Sequence, residues 1–78
     1  MAEQEELNQI LVKQKEIKDN INPYITEIKR LADDFLVALE KKEFKEADLD
    51  EAFDLNDAIQ EQTQEINALL FDMRDTIQ

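Results

Sequence analysis

Apolar residues recur alternately three and four positions apart over Leu7, Ile10, Ile17, Ile21, Tyr24, Ile28, Leu31, Phe35 and Ala38, with Gln14 taking the one polar slot. A spacing that averages 3.5 is a heptad seam, the signature of a helix lying along another helix, and it cannot be satisfied by a strand, whose side chains alternate with period two. Leu11, Ile25, Ala32 and Leu39 sit one position beyond the second seam residue and widen the stripe to three positions in seven. That width suits a bundle with more than one neighbour better than a strict two-stranded coil.

Pro23 lies within the seam, and Asp19-Asn20-Ile21-Asn22-Pro23 would also serve as a break, with Asn22 capping a new helix and Pro23 at its first position. The heptad phase passes through Pro23 unchanged, however, which a two-helix turn has no reason to preserve. The expectation is therefore one kinked helix over about residues 3–42. A second series, Ala52, Leu55, Ile59, Gln62, Ile66, Leu69, Met73 and Thr76, with Leu70 and Ile77 widening it, predicts a helix over about 49–77. Asp48 followed by Glu51 reads as its capping box, leaving a loop near 43–47.

The predicted fold is a single all-α domain over 1–78, an antiparallel helical hairpin that dimerises into a four-helix bundle. A monomeric three-helix bundle broken at Asn20–Pro23 is the alternative. At ~1.5 Å per residue the helices would be about 60 and 43 Å long, so the first should overhang the second. The seam residues expected in the core or oligomer contact are Ile10, Ile17, Ile21, Ile28, Leu31, Phe35, Ile59, Ile66, Leu69 and Met73. Gln14, Gln62 and Thr76 within the seam would set register.

Composition narrows the chemistry. The 78 residues include no Gly, Ser, Cys, His or Trp. A serine or cysteine nucleophile with a histidine base cannot be assembled, imidazole and thiolate metal ligands are lacking, and no glycine loop can cradle a phosphate. The expectation is a protein that is not an enzyme and uses no cofactor or metal. Zero cysteines and an acidic start, Met-Ala-Glu-Gln-Glu-Glu, fit a cytoplasmic protein without a signal peptide, and no apolar run approaches a membrane span.

The net charge is −11 and it is unevenly placed. Residues 1–47 hold 11 acids and 8 bases, whereas residues 48–78 hold 9 acids and Arg74 alone. Steps of ~100° set Asp50, Asp54, Asp57, Glu61, Glu65, Asp72 and Asp75 on one stripe of the second helix, with Ala68 in its only gap. Like charges three or four apart cost about 0.2–0.5 kcal/mol per pair, which the first helix avoids by interspersing Lys13, Lys15, Lys18, Lys29 and Arg30.

This charge disfavours direct binding to nucleic acid or anionic lipid and points either to a basic protein surface, including the groove of a nucleic-acid-binding protein, or to a solvated face that keeps a small oligomer soluble. Seven carboxylates over 25 residues are spaced about 5–6 Å apart, sparser than the ~3.4 Å per phosphate of one DNA strand, so any imitation is approximate. Phe53 and Phe71, 18 residues apart, share an azimuth beside the stripe and would serve as interface anchors or as packing within an oligomer. Phe44, in the loop, would plug the end of the bundle.

Two functions remain. In one, the acidic second helix inhibits a nucleic-acid-handling protein by occupying its groove. In the other, a coiled-coil adaptor or an assembly or secretion chaperone works through its apolar stripe. No motif is specific enough to indicate a family.

Overall fold

Two long helices running in opposite directions make up the whole of the computed structural model, which describes residues 2–77, with side chains from residue 3. Helix α1 spans Ala2–Leu39 and helix α2 spans Glu46–Ile77. The hairpin is a rod of 66 × 16 × 12 Å. Within the described residues there is no strand, and no helix is long and apolar enough to cross a membrane.

Pro23 lies inside α1, which continues through it. Proline removes one amide donor, so the carbonyl one turn earlier loses its partner, and the local cost is set against the burial of a seam that runs along the whole helix. One turn further on, the Thr26 hydroxyl donates to the Asn22 carbonyl at 3.1 Å. The three-helix alternative is thus not the arrangement of this chain.

The connection falls earlier than its expected place. Helix α1 ends at Leu39, not near residue 42, and α2 begins at Glu46, not near 49. The Glu40 amide is shared between the carbonyls of Leu36 and Val37, at 3.1 and 3.2 Å, which tightens the last turn. The last turn holds no basic residue and is followed by Glu40, an unfavourable charge at the negative end of a helix dipole. No described residue has a positive φ, so the chain reverses without the left-handed cap that glycine supplies elsewhere.

Asp48 does not occupy the cap position expected of it. The Lys45 carbonyl accepts the first helical bond, from the Leu49 amide at 3.0 Å, which makes Lys45 the cap residue. Asp48 stands three residues inside and reaches back, its Oδ2 accepting the Lys45 amide at 3.0 Å. This is the returning half of a capping box, with the acid at the position that Glu51 was expected to fill. Lys41 closes the turn by donating to Asp48 Oδ1 at 2.6 Å, with Glu51 at 3.8 Å.

Register is pinned at the opposite end. Gln14 Nε2 donates to Thr76 Oγ1 at 2.9 Å, and that hydroxyl donates onward to the Met73 carbonyl at 2.7 Å. Stepping from this pair along antiparallel heptads brings Tyr24 level with Ile66, Leu31 with Ile59 and Ala38 with Ala52. Tyr24 and Leu69 line one cleft, and Phe35 and Ala52 another, as that register requires.

The seam is covered along most of its length. Ile17, Leu31, Ala38 and Ala52 are buried, and Ile21, Ile28, Phe35, Leu55, Ile59, Ile66, Leu69 and Met73 are half-buried. Two seam residues are not covered: Leu7 is 52% and Ile10 37% exposed. On the same register Ile77 comes level with Lys13, so residues 3–12 project beyond α2 by about 15 Å. Ile10, expected in the core or oligomer contact, stands at the base of the overhang, where it lines a groove with Asp75 and Thr76 of α2.

Candidate functional site

Helix α2 is uninterrupted from Glu46 to Ile77, so the angular positions read from its sequence carry over to the structure. Its Ala52-to-Thr76 seam turns toward α1, and this rotation carries the acidic stripe away from the contact. Asp50, Asp54, Asp57, Glu61, Glu65, Asp72 and Asp75 are all exposed. None of the seven makes an ion pair among the described residues. The stripe runs for ~37 Å along the helix.

The acids that do find partners lie elsewhere. In α1, Arg30 pairs with Glu27 one turn back and with Asp34 at 3.4 Å one turn on, and Lys15 approaches Asp19 at 4.0 Å. The hydrogen bond from Arg30 holds the Glu27 carboxyl below its ordinary range. At the turn, the hydrogen bonds from Lys41 and from the Lys45 amide lower Asp48 in the same way, and Asp48 in return raises Lys41. Apart from the Asp48 carboxyl, which is largely covered at the turn, these groups lie toward solvent, where such pairs add little stability.

Phe53 and Phe71 are 59% and 56% exposed, on the outer side of α2. The structure divides their surroundings. Phe53 joins Phe35, Leu39, Phe44, Leu49 and Ala52 in an apolar cleft at the loop end of the hairpin, whereas Phe71 takes no part in it. Phe44 folds against this cleft at the bundle end, and Leu49, which the sequence reading passed over, is exposed beside it. Leu49 falls at the same heptad position as Leu70 and Ile77, and that spacing is the signal by which it could have been found.

Chemically, the arrangement offers a line of carboxylates on a rigid support with aromatic and aliphatic surface beside it. Among the described residues no group of three or more acids converges on one point as cation ligands would. The clefts are shallow grooves. One, lined by Gln60, Thr63, Gln64, Ile66, Asn67 and Leu70, runs along α2, and another holds Asn20, Pro23, Tyr24, Glu65, Ala68 and Asp72 between the helices. No protein-family model, no curated protein and no solved structure is significantly similar to this chain.

Proposed function

We propose that this chain is a non-enzymatic interaction protein whose acidic α2 face docks on a basic surface, inhibiting a nucleic-acid-handling protein by occupying its groove. The observation that carries the reading is the stripe itself: seven exposed carboxylates with no ion-pair partner among the described residues. A helix selected for stability alone gains from interspersed bases, so an uncompensated line of charge is accounted for by a partner that supplies them. In this reading the protein acts in the cytoplasm, bends at Pro23, uses no cofactor, and works as a homodimer forming a four-helix bundle. Phe53 and Phe71 flank the stripe as anchors.

The test is capture of lysate proteins on the immobilised chain, followed by an assay of the captured protein's nucleic-acid binding with and without the chain. Binding should fall by roughly tenfold or more between 50 and 200 mM salt. Reversal of Asp54, Asp57 and Glu61 to Lys should weaken it by about 100-fold. A captured protein that binds nucleic acid equally well in the presence of the chain, or binding that survives the triple reversal, overturns the reading.

A second reading, an adaptor or assembly chaperone working through apolar surface, is favoured by the exposed row Leu11, Ile25, Leu39, Leu70 and Ile77. Under it, charge reversal changes little, and Ile25→Asp abolishes partner capture.

A further inference from the structure

The two broad faces of the hairpin differ in a way that decides how it can meet its own copy. Because the helices are antiparallel, the positions that follow the second seam residue on each helix fall on the same side, and those that precede the first seam residue fall on the other. The clefts show this sorting: Leu39, Leu49 and Asn56 line one together, and Asn20, Glu65 and Asp72 another. The first face carries Leu11, Ile25, Leu39, Leu49, Leu70 and Ile77, all exposed, with Lys18 as the only charge in its two rows. The second carries six carboxylates against Lys13 in its own rows; Arg30 pairs with Glu27 and Asp34 and Lys41 with Glu51, while Glu6, Glu65 and Asp72 have no ion pair among the described residues. Two copies would repel through the second face and bury apolar surface through the first.

The surface area calls for such a closure. The chain exposes 6422 Å², whereas a compact monomer of this length exposes about 4,900 Å². The excess, on the order of 1,500 Å², is more than the ~800 Å² per partner of a standard stable interface. A second copy laid on the apolar face removes it without adding a new kind of surface.

Polarity follows from charge at the two ends. The overhang holds Glu3, Glu5 and Glu6 and no base before Lys13, while the loop holds Lys41, Lys42 and Lys45 against Glu40 and Glu43. Lys42 has no ion pair among the described residues. With both loops at the same end, the two acidic overhangs would lie side by side. With the loops at opposite ends, each overhang lies against the other copy's lysine-bearing loop and covers its own exposed Leu7 and Leu11. A two-fold axis near Ile25 and Thr63 then sets Leu11 opposite Leu39 of the second copy, Ile25 opposite its own counterpart, and Leu49 opposite Ile77 of the second copy.

We infer that the hairpin dimerises through the Leu11–Ile25–Leu39 and Leu49–Leu70–Ile77 face with its loops at opposite ends, each acidic overhang seated on the lysine loop of the second copy. This rests on the homodimer named under the proposed function and adds its face and polarity. It leaves the α2 acidic stripe on the outside of the bundle.

The absence of cysteine permits a direct test. Sedimentation of the 78-residue chain establishes whether it dimerises. Ile25→Cys, at an exposed position that tolerates the change, should then cross-link to itself on mild oxidation with helicity unchanged. Chains carrying Leu11→Cys mixed with chains carrying Leu39→Cys should cross-link as well. Lys42→Glu should raise the dimer dissociation constant about fivefold at low salt, and Glu5→Lys in the same chain should restore it. A dimer in which Leu11→Cys joins to Ile77→Cys and Ile25→Cys does not join to itself has its loops at the same end, which overturns the polarity while the homodimer stands. A chain that sediments as a monomer at every concentration overturns the homodimer itself, and with it this inference, without touching the acidic docking reading.

Discussion

Helices α1 and α2 share a heptad seam and differ in almost everything else. Helix α1 supplies three of the four buried residues, Ile17, Leu31 and Ala38, tolerates a proline, and pairs several of its acids with bases one turn away. Helix α2 supplies Ala52 alone to that set, and seven of its carboxylates have no ion pair among the described residues. One helix is composed as a scaffold, with its charges offset locally. The other carries on its outer face a repulsion that no ion pair among the described residues relieves. The docking proposed above rests on this difference.

The sharpest way to break this comparison is in the core. Leu31→Ala in α1 should cost about 2–5 kcal/mol, enough to unfold so small a protein, whereas Leu55→Ala in the half-buried row of α2 should cost less; urea denaturation of both variants measures the difference. Equal losses would mean that the two helices share the core evenly.

Next in size is the proline. Pro23→Ala restores an amide donor and a better helix former in the interior of α1, so thermal unfolding should show a gain of up to about 3 kcal/mol. No gain would place a break in the helix there.

Charge substitutions should have opposite signs on the two helices. Asp57→Lys lies between Asp54 and Glu61 and should stabilise the fold by about 0.2–0.5 kcal/mol per relieved pair, while added salt stabilises the unaltered chain by screening the stripe. Asp34→Lys removes a partner of Arg30 and should destabilise it. If both changes act in the same direction, the stripe is not under strain.

The smallest effect is at the turn. Asp48 is held below the usual carboxylate range, first by Lys41 and then by the Lys45 amide, so the fold favours its ionised form. Its contribution is complete above the unfolded pKa and is lost as pH falls through the lower folded value. Lys41 is raised by Asp48, so its part is complete below the unfolded lysine pKa and is lost as pH rises through the folded one. Protection of the amides at residues 45–49, measured against their intrinsic exchange rate at each pH, should therefore fall at both extremes, and Asp48→Asn should abolish the acidic limb.

Much of the hairpin was legible because periodicity is a direct image of burial: Ile17, Leu31 and Ala52 lie where the heptads place them, and α2 runs to Ile77 as its apolar series does. The turn was less legible. Glu40 to Asp48 contains no glycine, and its geometry depends on which lysine reaches which acid across the reversal, so Asp48 moved from the cap to the position three residues inside it. Ile10 is 37% exposed in the single hairpin, since a helix can keep its apolar pattern beyond the point where its neighbour stops.

By itself the sequence determined that this chain is helical, that two seams face each other, and that one helix carries an uncompensated acidic line, because spacing and charge are local properties of each helix. Only the tertiary structure decided where α1 turns into α2 and how far it overhangs. It also decided that the two apolar rows beyond the seam meet on one face, because those facts depend on the register between helices, and register is settled by contacts as distant in sequence as Gln14 and Thr76.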